Sequence, residues 1–309
     1  GRVMLAGSVI FMLQTTFQSF FVVAERPGMG LGFSMAAGLT NMGLDYVFIA
    51  VLDMGIAGAA WATVAGYCVG GLIPLLYFAT GERAGLRLTV TRFYGRQLLQ
   101  ACGNGSSELM SNISASVVGI LYNIQLMRLI GETGVAAYSV MMYVDFVFVA
   151  AFLGFSIGSA PIVSYHYGAD NRPELRNVFR TSVRVIAVTS VIMVLASETL
   201  SYPLASAFVG YNPELLEMTV HGFRLFALSY LFCGINIYAS AFFTALCNGV
   251  VSALISFARS LVFRGGMVLL LPLIWDLDGI WWAVVFAEGL GVLVSLGFLV
   301  TRRKQYHYW

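Results

Sequence analysis

Apolar residues occupy nine long runs of this chain, and polar or charged residues are concentrated between the runs. Each run has about twenty or more mainly apolar residues, the length that an α-helix needs to cross a membrane. The runs are Val3–Ala24, Gly28–Leu52, Met54–Ala79, Leu98–Met127, Val135–Ser159, Val183–Phe208, Leu225–Cys247, Val250–Leu273 and Ile280–Thr301. They lack the alternating pattern of barrel strands, so we predict nine membrane-spanning helices.

The composition supports this prediction. Of the 309 residues, 59% are apolar and only 10% are Asp, Glu, Lys or Arg, whereas soluble domains carry roughly 25% charged residues. The mean hydropathy is +0.83. We therefore predict an all-α polytopic membrane protein with the lipid bilayer as its environment, and we exclude soluble enzymes. The basic residues form no block large enough to indicate binding to nucleic acid.

The basic residues fall on alternate connectors between the predicted spans, and acidic residues predominate on the others. Cytoplasmic connectors carry an excess of Lys and Arg. The chain is therefore expected to begin outside the cell and to end in the cytoplasm, as a multi-pass protein of the plasma (inner) membrane. The basic connectors contain Arg26, Arg83–Arg96, Arg172–Arg180 and Arg302–Lys304.

The chain repeats itself at an offset of 221 residues, which corresponds to about six spans. Gly28 matches Gly249, and Gly58 matches Gly279. Two parallel six-helix halves are typical of transporters, but here the first half shows only its last three helices. We therefore expect a partial lobe at 1–79, a cytoplasmic connector at 80–93 and a six-helix lobe at 94–309, with about three spans missing from the beginning.

Several segments together resemble the multidrug and toxic compound extrusion (MATE) transporters. The most specific is a Tyr-Gly-Ala-x-Asn connector followed by an Arg-rich helix start. The segments are Ala24–Gly32, Ala37–Tyr46, Met54–Thr63, Gly103–Glu108, Gly134–Tyr138 and Gly158–Asn171. The resemblance covers essentially the whole chain, as helices four to twelve of a twelve-helix, two-lobe fold.

The resemblance implies a secondary active antiporter and not an enzyme. It would export cationic, amphiphilic organic compounds in exchange for H⁺ or Na⁺ by alternating access, as a monomer and with no cofactor beyond the coupling ion. Because half of one lobe is missing, we expect the chain by itself to bind a cation or drug at most. A related lipid-linked oligosaccharide flippase and a non-transporting membrane fragment remain alternatives.

Glu108 is the first candidate for ion or proton coupling, because a carboxylate at lipid depth is costly and usually marks such a site. Asn104, Glu108 and Asn112 follow at i, i+4 and i+8 and share one helix face, which we interpret as a polar stripe lining a substrate cavity. Glu108 is a possible Na⁺ ligand. The alternative is a structural carboxylate that hydrogen-bonds to neighbouring helices.

Two further acids lie inside predicted spans. Asp45 is a second coupling candidate, although a hydrogen bond that fixes helix packing is the slightly stronger interpretation. Asp145 is a third candidate, which we interpret as a second polar residue of the cavity. It is the less expected acid, because the resemblance favours a neutral amide at that position. Met141 is a candidate for an adaptable, apolar cavity wall.

Two other patterns predict structural roles. Glu288 is expected to pair with Arg259 or Arg264 on the preceding span. The segment Gly154–Gly158 matches the GxSxG pattern of a nucleophile elbow, but it lies inside an apolar span, so we interpret it as helix packing. The sequence contains no Ser/His, Asp/Asp or HExxH constellation of an intramembrane enzyme.

Overall fold

A computed structural model describes residues 1–80, 86, 88 and 92–309, and it is built of helices without strands in this described part. The all-α membrane fold is thus confirmed. The chain divides into two compact units, residues 1–93 and residues 94–309. The predicted cytoplasmic connector at 80–93 lies largely outside the described residues.

The first unit has three helices. They are α1 (Arg2–Val23), α2 (Pro27–Asp45) with a π-helical continuation (Tyr46–Val51), and α3 (Gly55–Thr80). Aromatic side chains form its core: the rings of Phe17 and Phe78 stack with centroids 5.5 Å apart, and Phe21 lies 5.0 Å from Phe78. This cluster joins α1 to α3 near their ends.

Glycines on α3 allow its backbone to approach both other helices of the unit. A Cβ atom on Gly66 would lie 2.9 Å from the Ala37 carbonyl oxygen of α2, and one on Gly71 would lie 2.8 Å from the Ile10 carbonyl oxygen of α1. Within lipid no hydrophobic effect drives helices together, so this close packing is a main source of their association.

The second unit contains the remaining helices. They are α4 (Gly95–Asn104), α5 (Ser106–Leu129), α6 (Glu132–Gly168), α7 (Arg172–Val209), α8 (Pro213–Ala227), α9 (Tyr230–Ala245), α10 (Gly249–Phe257) with a π-helical segment (Ala258–Gly265) and α11 (Gly266–Leu270), and α12 (Pro272–Tyr306). Its core is continuous and rich in large side chains. The largest that are fully buried include Trp281, Tyr122, Tyr230 and Tyr238.

The predicted span Leu225–Cys247 is wrong as a single helix. Eight helices of the described chain are long and apolar enough to cross a membrane, and the ninth span is the pair α8 and α9, bent by 52°. Residue 213 begins α8 well before the predicted start, because Asn212 accepts a hydrogen bond from the Leu215 amide at 3.2 Å and Pro213 occupies the first turn.

Three other predicted spans are shorter than the helices that contain them, namely Val135–Ser159 in α6, Val183–Phe208 in α7 and Ile280–Thr301 in α12. Helix α7 begins eleven residues earlier, at Arg172, where the Asn171 side chain caps it by accepting from the Glu174 amide. Helix α12 begins at Pro272 and is kinked at Asp276, whose φ is 45°. A capping signal inside a polar stretch thus extends α7 beyond its apolar run, whereas α12 has no side-chain cap and joins two helical segments across the kink.

The internal repeat is supported by two glycines that have the same role in each unit. A Cβ atom on Gly70 would lie 2.6 Å from the side-chain amide carbon of Gln14, and one on Gly291 would lie 2.8 Å from the Asn236 amide nitrogen. In both units, a glycine on the last helix makes room for an amide from the first of the three repeated helices.

The paired connector glycines also have similar positions. Gly28 and Gly249 lie in the first two residues of α2 and α10, and Gly58 and Gly279 lie close to the start of a helical segment. Gly58 and Gly279 each pack against the end of the preceding span, at Phe48 and at Leu271 respectively.

Replacing Gly66 by Leu should destabilise the first unit, because the new side chain would overlap the α2 backbone. Overpacking of this kind costs about 1–3 kcal/mol. The matched control is Gly38→Leu on α2, where a Cβ atom would have no neighbouring atom within 4 Å. We expect Gly66→Leu to unfold at a lower concentration of sodium dodecyl sulfate than Gly38→Leu. Equal unfolding midpoints would contradict the packing role of Gly66.

Candidate functional site

A fully buried carboxylate on α12 binds two arginines in the second unit. Glu288 accepts hydrogen bonds from Arg259 Nε at 2.8 Å and from Arg264 Nη2 at 2.7 Å. Both arginines lie in the π-helical segment 258–265. A π-helical turn changes which residues share a helix face and is frequent at functional sites. The prediction that Glu288 pairs with Arg259 or Arg264 is confirmed, since it pairs with both.

A buried amide completes the surroundings of this carboxylate. Asn236 of α9 donates to Glu288 Oε2 at 2.8 Å and to the Glu288 carbonyl oxygen at 2.9 Å. Ser295 then donates to the Asn236 side-chain oxygen at 2.8 Å. These contacts join α9, the π-helical segment and α12 at Glu288. They also give hydrogen-bond partners to polar groups that would find none in lipid.

One carboxylate faces two guanidinium groups, so the cluster needs a second negative charge. Arg264 Nε is buried and has no hydrogen-bond partner among the described residues. Asp145 of α6 is a further acid of this unit, and its carboxylate accepts a hydrogen bond from the Tyr230 hydroxyl at 3.0 Å. Tyr230 lies on α9, the helix that also carries Asn236.

A cavity of about 530 Å³ lies along α5 and α6 in the second unit. It is mostly apolar, with a few polar groups, and such a lining suits organic ligands. Tyr138, one of its lining residues, stacks on the buried Tyr122 with ring centroids 4.6 Å apart. The cavity is lined by Asn123, Tyr138, Ser139, Met142, Tyr143 and Phe146.

Asp145 directly precedes the cavity residue Phe146 on α6 but does not itself line the cavity, and the other predicted members have different surroundings. Glu108 lies in the first turn of α5, where its side chain is exposed and has no partner in the described chain. Asn104 ends α4 and donates to the Thr244 carbonyl oxygen of α9 at 2.9 Å. Asn112 donates to the Glu108 carbonyl oxygen within α5 at 2.8 Å. Gly105 interrupts the helix for one residue only, so Glu108 lies within the single span Gly95–Leu129 that α4 and α5 form together.

The two remaining predicted residues lie elsewhere. Asp45 ends the α-helical part of α2 in the first unit, and its Oδ1 is buried without a hydrogen-bond partner among the described residues. Met141 is buried in the core of the second unit, near Gly222. The adjacent Met142 lines the cavity instead.

Sequence reasoning missed Asn236 and Tyr230 as parts of the site. Both lie in α9, where Tyr230 is an ordinary aromatic residue of an apolar helix and Asn236 is an isolated amide. The signal that could have found them is the presence of ionisable residues at lipid depth on three different helices. The GxSxG segment lies inside α6, and its central Ser156 is buried.

Replacing Glu288 by Gln should strongly destabilise the second unit. The change leaves two buried guanidinium groups without a countercharge, and breaking a buried ion pair in this way costs about 3–5 kcal/mol. The control is Glu217→Gln, which removes an exposed carboxylate of α8. We expect a lower sodium dodecyl sulfate midpoint for Glu288→Gln only. A normal midpoint would mean that the cluster does not hold the three helices together.

Relatives with multidrug export names match most of the chain. Multidrug export protein MepA of Staphylococcus aureus (strain MSSA476) is 19% identical over 295 residues, and that of Staphylococcus saprophyticus is 21% identical over 305 residues. Each alignment covers 93% of this chain but 64% of the relative. The chain therefore spans less than two thirds of the length of these relatives.

Solved structures show the same fold. A MOP superfamily transporter from Pyrococcus furiosus matches with a TM-score of 0.91 at 19% identity, and a mutant of the Vibrio cholerae MATE transporter VcmN matches with 0.86 at 20%. Each match covers 99% of this chain and 69% of the other. The MatE family model matches residues 108–265, just over half of the chain. The chain therefore belongs to the MATE family of membrane transporters.

Proposed function

We propose that the natural protein carrying this chain is a secondary active multidrug transporter. It exports cationic, amphiphilic organic molecules in exchange for H⁺ or Na⁺ by alternating access across the plasma membrane, with its C-terminus in the cytoplasm. The family membership supports transport, and the names of the relatives support organic substrates.

The observation that carries the proposal is the largely apolar cavity along α5 and α6 of the second unit. Aromatic and Met side chains give the cavity an adaptable apolar wall. Asp145, one turn from Met142 and adjacent to Phe146 on α6, offers a negative charge near that wall. An apolar wall with one carboxylate is chemically suited to an amphiphilic cation.

Glu108 and Asp145 are the proposed coupling residues of the second unit. The Glu108 carboxylate is exposed and free of protein partners within the described chain, so it is available to a proton or to Na⁺. Asp145 is partly buried and held by Tyr230. Asp45 is the proposed counterpart in the first unit, where its unpartnered buried oxygen offers a further acceptor.

The buried charged residues of the second unit do not support the flippase alternative. Recognition of a lipid phosphate needs cationic side chains free to donate to it. Arg259 and Arg264 both donate to Glu288 instead.

Glu108→Gln and Asp145→Asn should each abolish gradient-driven efflux, because they retain hydrogen bonding but remove the exchangeable charge. Ethidium efflux is measured in vesicles containing the natural protein, under a pH gradient and separately under a Na⁺ gradient. The gradient that drives wild-type efflux identifies the coupling ion. Glu132→Gln, an exposed acid at the start of α6, is the control and should keep wild-type rates. Undiminished efflux in both carboxylate variants would refute their coupling role.

A further inference from the structure

We propose that the second unit binds the headgroups of anionic phospholipids on a basic surface formed by two helix ends. This basic surface consists of Arg176, Arg180 and Arg184 of α7 together with Arg303 and Lys304 of α12. The inference goes beyond the proposed transport function, because it names a lipid partner and depends on neither the substrate nor the coupling ion.

The arginines of α7 form a stripe along the exposed side of the helix. Arg176, Arg180 and Arg184 follow one another at intervals of four residues, so neighbouring members lie one turn apart. All three are exposed, and none has an ion-pair partner within the described ranges. Arg172 differs, because Asp170 pairs with it at 3.0 Å. Three guanidinium groups are therefore available to an external anion.

The acid nearest to this stripe along α7 does not neutralise it. Glu174 lies two residues before Arg176, which places it about 200° around the helix. Its Oε2 accepts a hydrogen bond from the Asn177 side-chain amide at 3.3 Å. The exposed face that carries the arginines thus keeps its positive charge.

The segment that follows α12 brings the end of that helix to the stripe. Phe179 directly precedes Arg180 on α7. Its ring packs against Tyr308 and Trp309, with centroids 4.9 Å and 6.1 Å away. The Arg303 guanidinium lies over the Trp309 ring, 5.9 Å from its centroid. Contacts between aromatic rings thus hold basic residues of two helices at one surface.

Exposed aliphatic side chains place the basic surface at the edge of the bilayer. On α7 the interval of four residues continues from Arg184 to Val188 and Ile192, which are both exposed. On α12 the exposed Val300 precedes Lys304 at the same interval. Exposed aliphatic side chains of a spanning helix contact lipid tails, whereas basic residues lie at the headgroups. Each helix therefore leaves the hydrocarbon where its exposed side chains change from aliphatic to basic.

The chemistry of these groups suits a phosphodiester with a net negative charge. Guanidinium groups donate paired hydrogen bonds to phosphate oxygens, and clusters of Lys and Arg beside a spanning helix attract anionic lipids. Trp309 is half exposed, and indole rings are enriched at the level of the headgroups. A zwitterionic lipid carries its own cation beside the phosphate, so the surface should prefer anionic lipids. In the proposed orientation these belong to the cytoplasmic leaflet.

The test compares two phospholipids with identical acyl chains, phosphatidylglycerol and phosphatidylcholine. Native mass spectrometry measures their binding to the purified 309-residue protein over a range of lipid concentrations. The wild type should bind phosphatidylglycerol more tightly, and added salt should remove most of the difference, because salt screens exposed charges. Glycerophosphoglycerol, the same headgroup without acyl chains, should not displace the bound lipid at equal concentration.

Arginine variants locate the binding. Arg176→Gln combined with Arg180→Gln should weaken phosphatidylglycerol binding by about 25-fold, since each basic residue near an anionic lipid surface contributes about fivefold. The matched control, Arg2→Gln combined with Arg128→Gln, removes the same charge from exposed residues at other helix ends and should bind as the wild type does. Arg303→Gln should lose about fivefold, and Arg128→Gln alone is its control.

Several results would overturn the inference. Equal affinity of the wild type for the two lipids would mean that the surface does not recognise lipid charge. An unchanged affinity in the α7 pair or in Arg303→Gln, or an equal loss in the matched controls, would mean that net charge and not this surface determines binding. Displacement by glycerophosphoglycerol at equal concentration would indicate a site for a soluble phosphate. The comparisons between ligands use the wild type alone, so they decide the question even if a variant misfolds.

Discussion

The packing of the second unit depends on a single carboxylate that is buried from both water and lipid. Glu288 is completely buried, and four hydrogen bonds from Arg259, Arg264 and Asn236 surround it. A buried ion pair is weak evidence for stability, since desolvation offsets much of the attraction. Here the ion pair makes the packing of the helices specific. The buried charges have partners only when α9, the π-helical segment and α12 pack in one register.

The same constraint explains why the site is asymmetric in charge. An arginine cannot lose its proton in a protein, so the cluster can change its charge only through an acid. Glu288 is engaged by two guanidinium groups and an amide, whereas Asp145 accepts one side-chain hydrogen bond, from Tyr230. The two buried acids of the second unit thus differ in how many donors hold them.

The sequence predicted the class of fold and the pairing of Glu288, and it was less informative about helix ends and side-chain partners. Apolar runs indicate which segments contact lipid or the core. They therefore identify the spans, but they do not identify the polar extensions of α7 and α12. The break between α8 and α9 escaped detection because Leu228 and Ser229 interrupt neither hydropathy nor composition. Asn236 and Tyr230 were missed because their roles arise from contacts more than fifty residues away along the chain.

The length of α6 and α7 has a practical consequence for imaging the protein. With 37 and 38 residues, they are each about 56 Å long, whereas the hydrocarbon core is about 30 Å thick. The turn that joins them carries the exposed Asp170–Arg172 pair, and Arg176 and Arg180 follow on α7. This charged hairpin is exposed at Asp170 and Arg172, and Tyr167 and Phe179 beside it pack against Tyr306 and Tyr308. It is a natural epitope for an antibody fragment that adds the mass needed to align particles of a small membrane protein in electron cryomicroscopy.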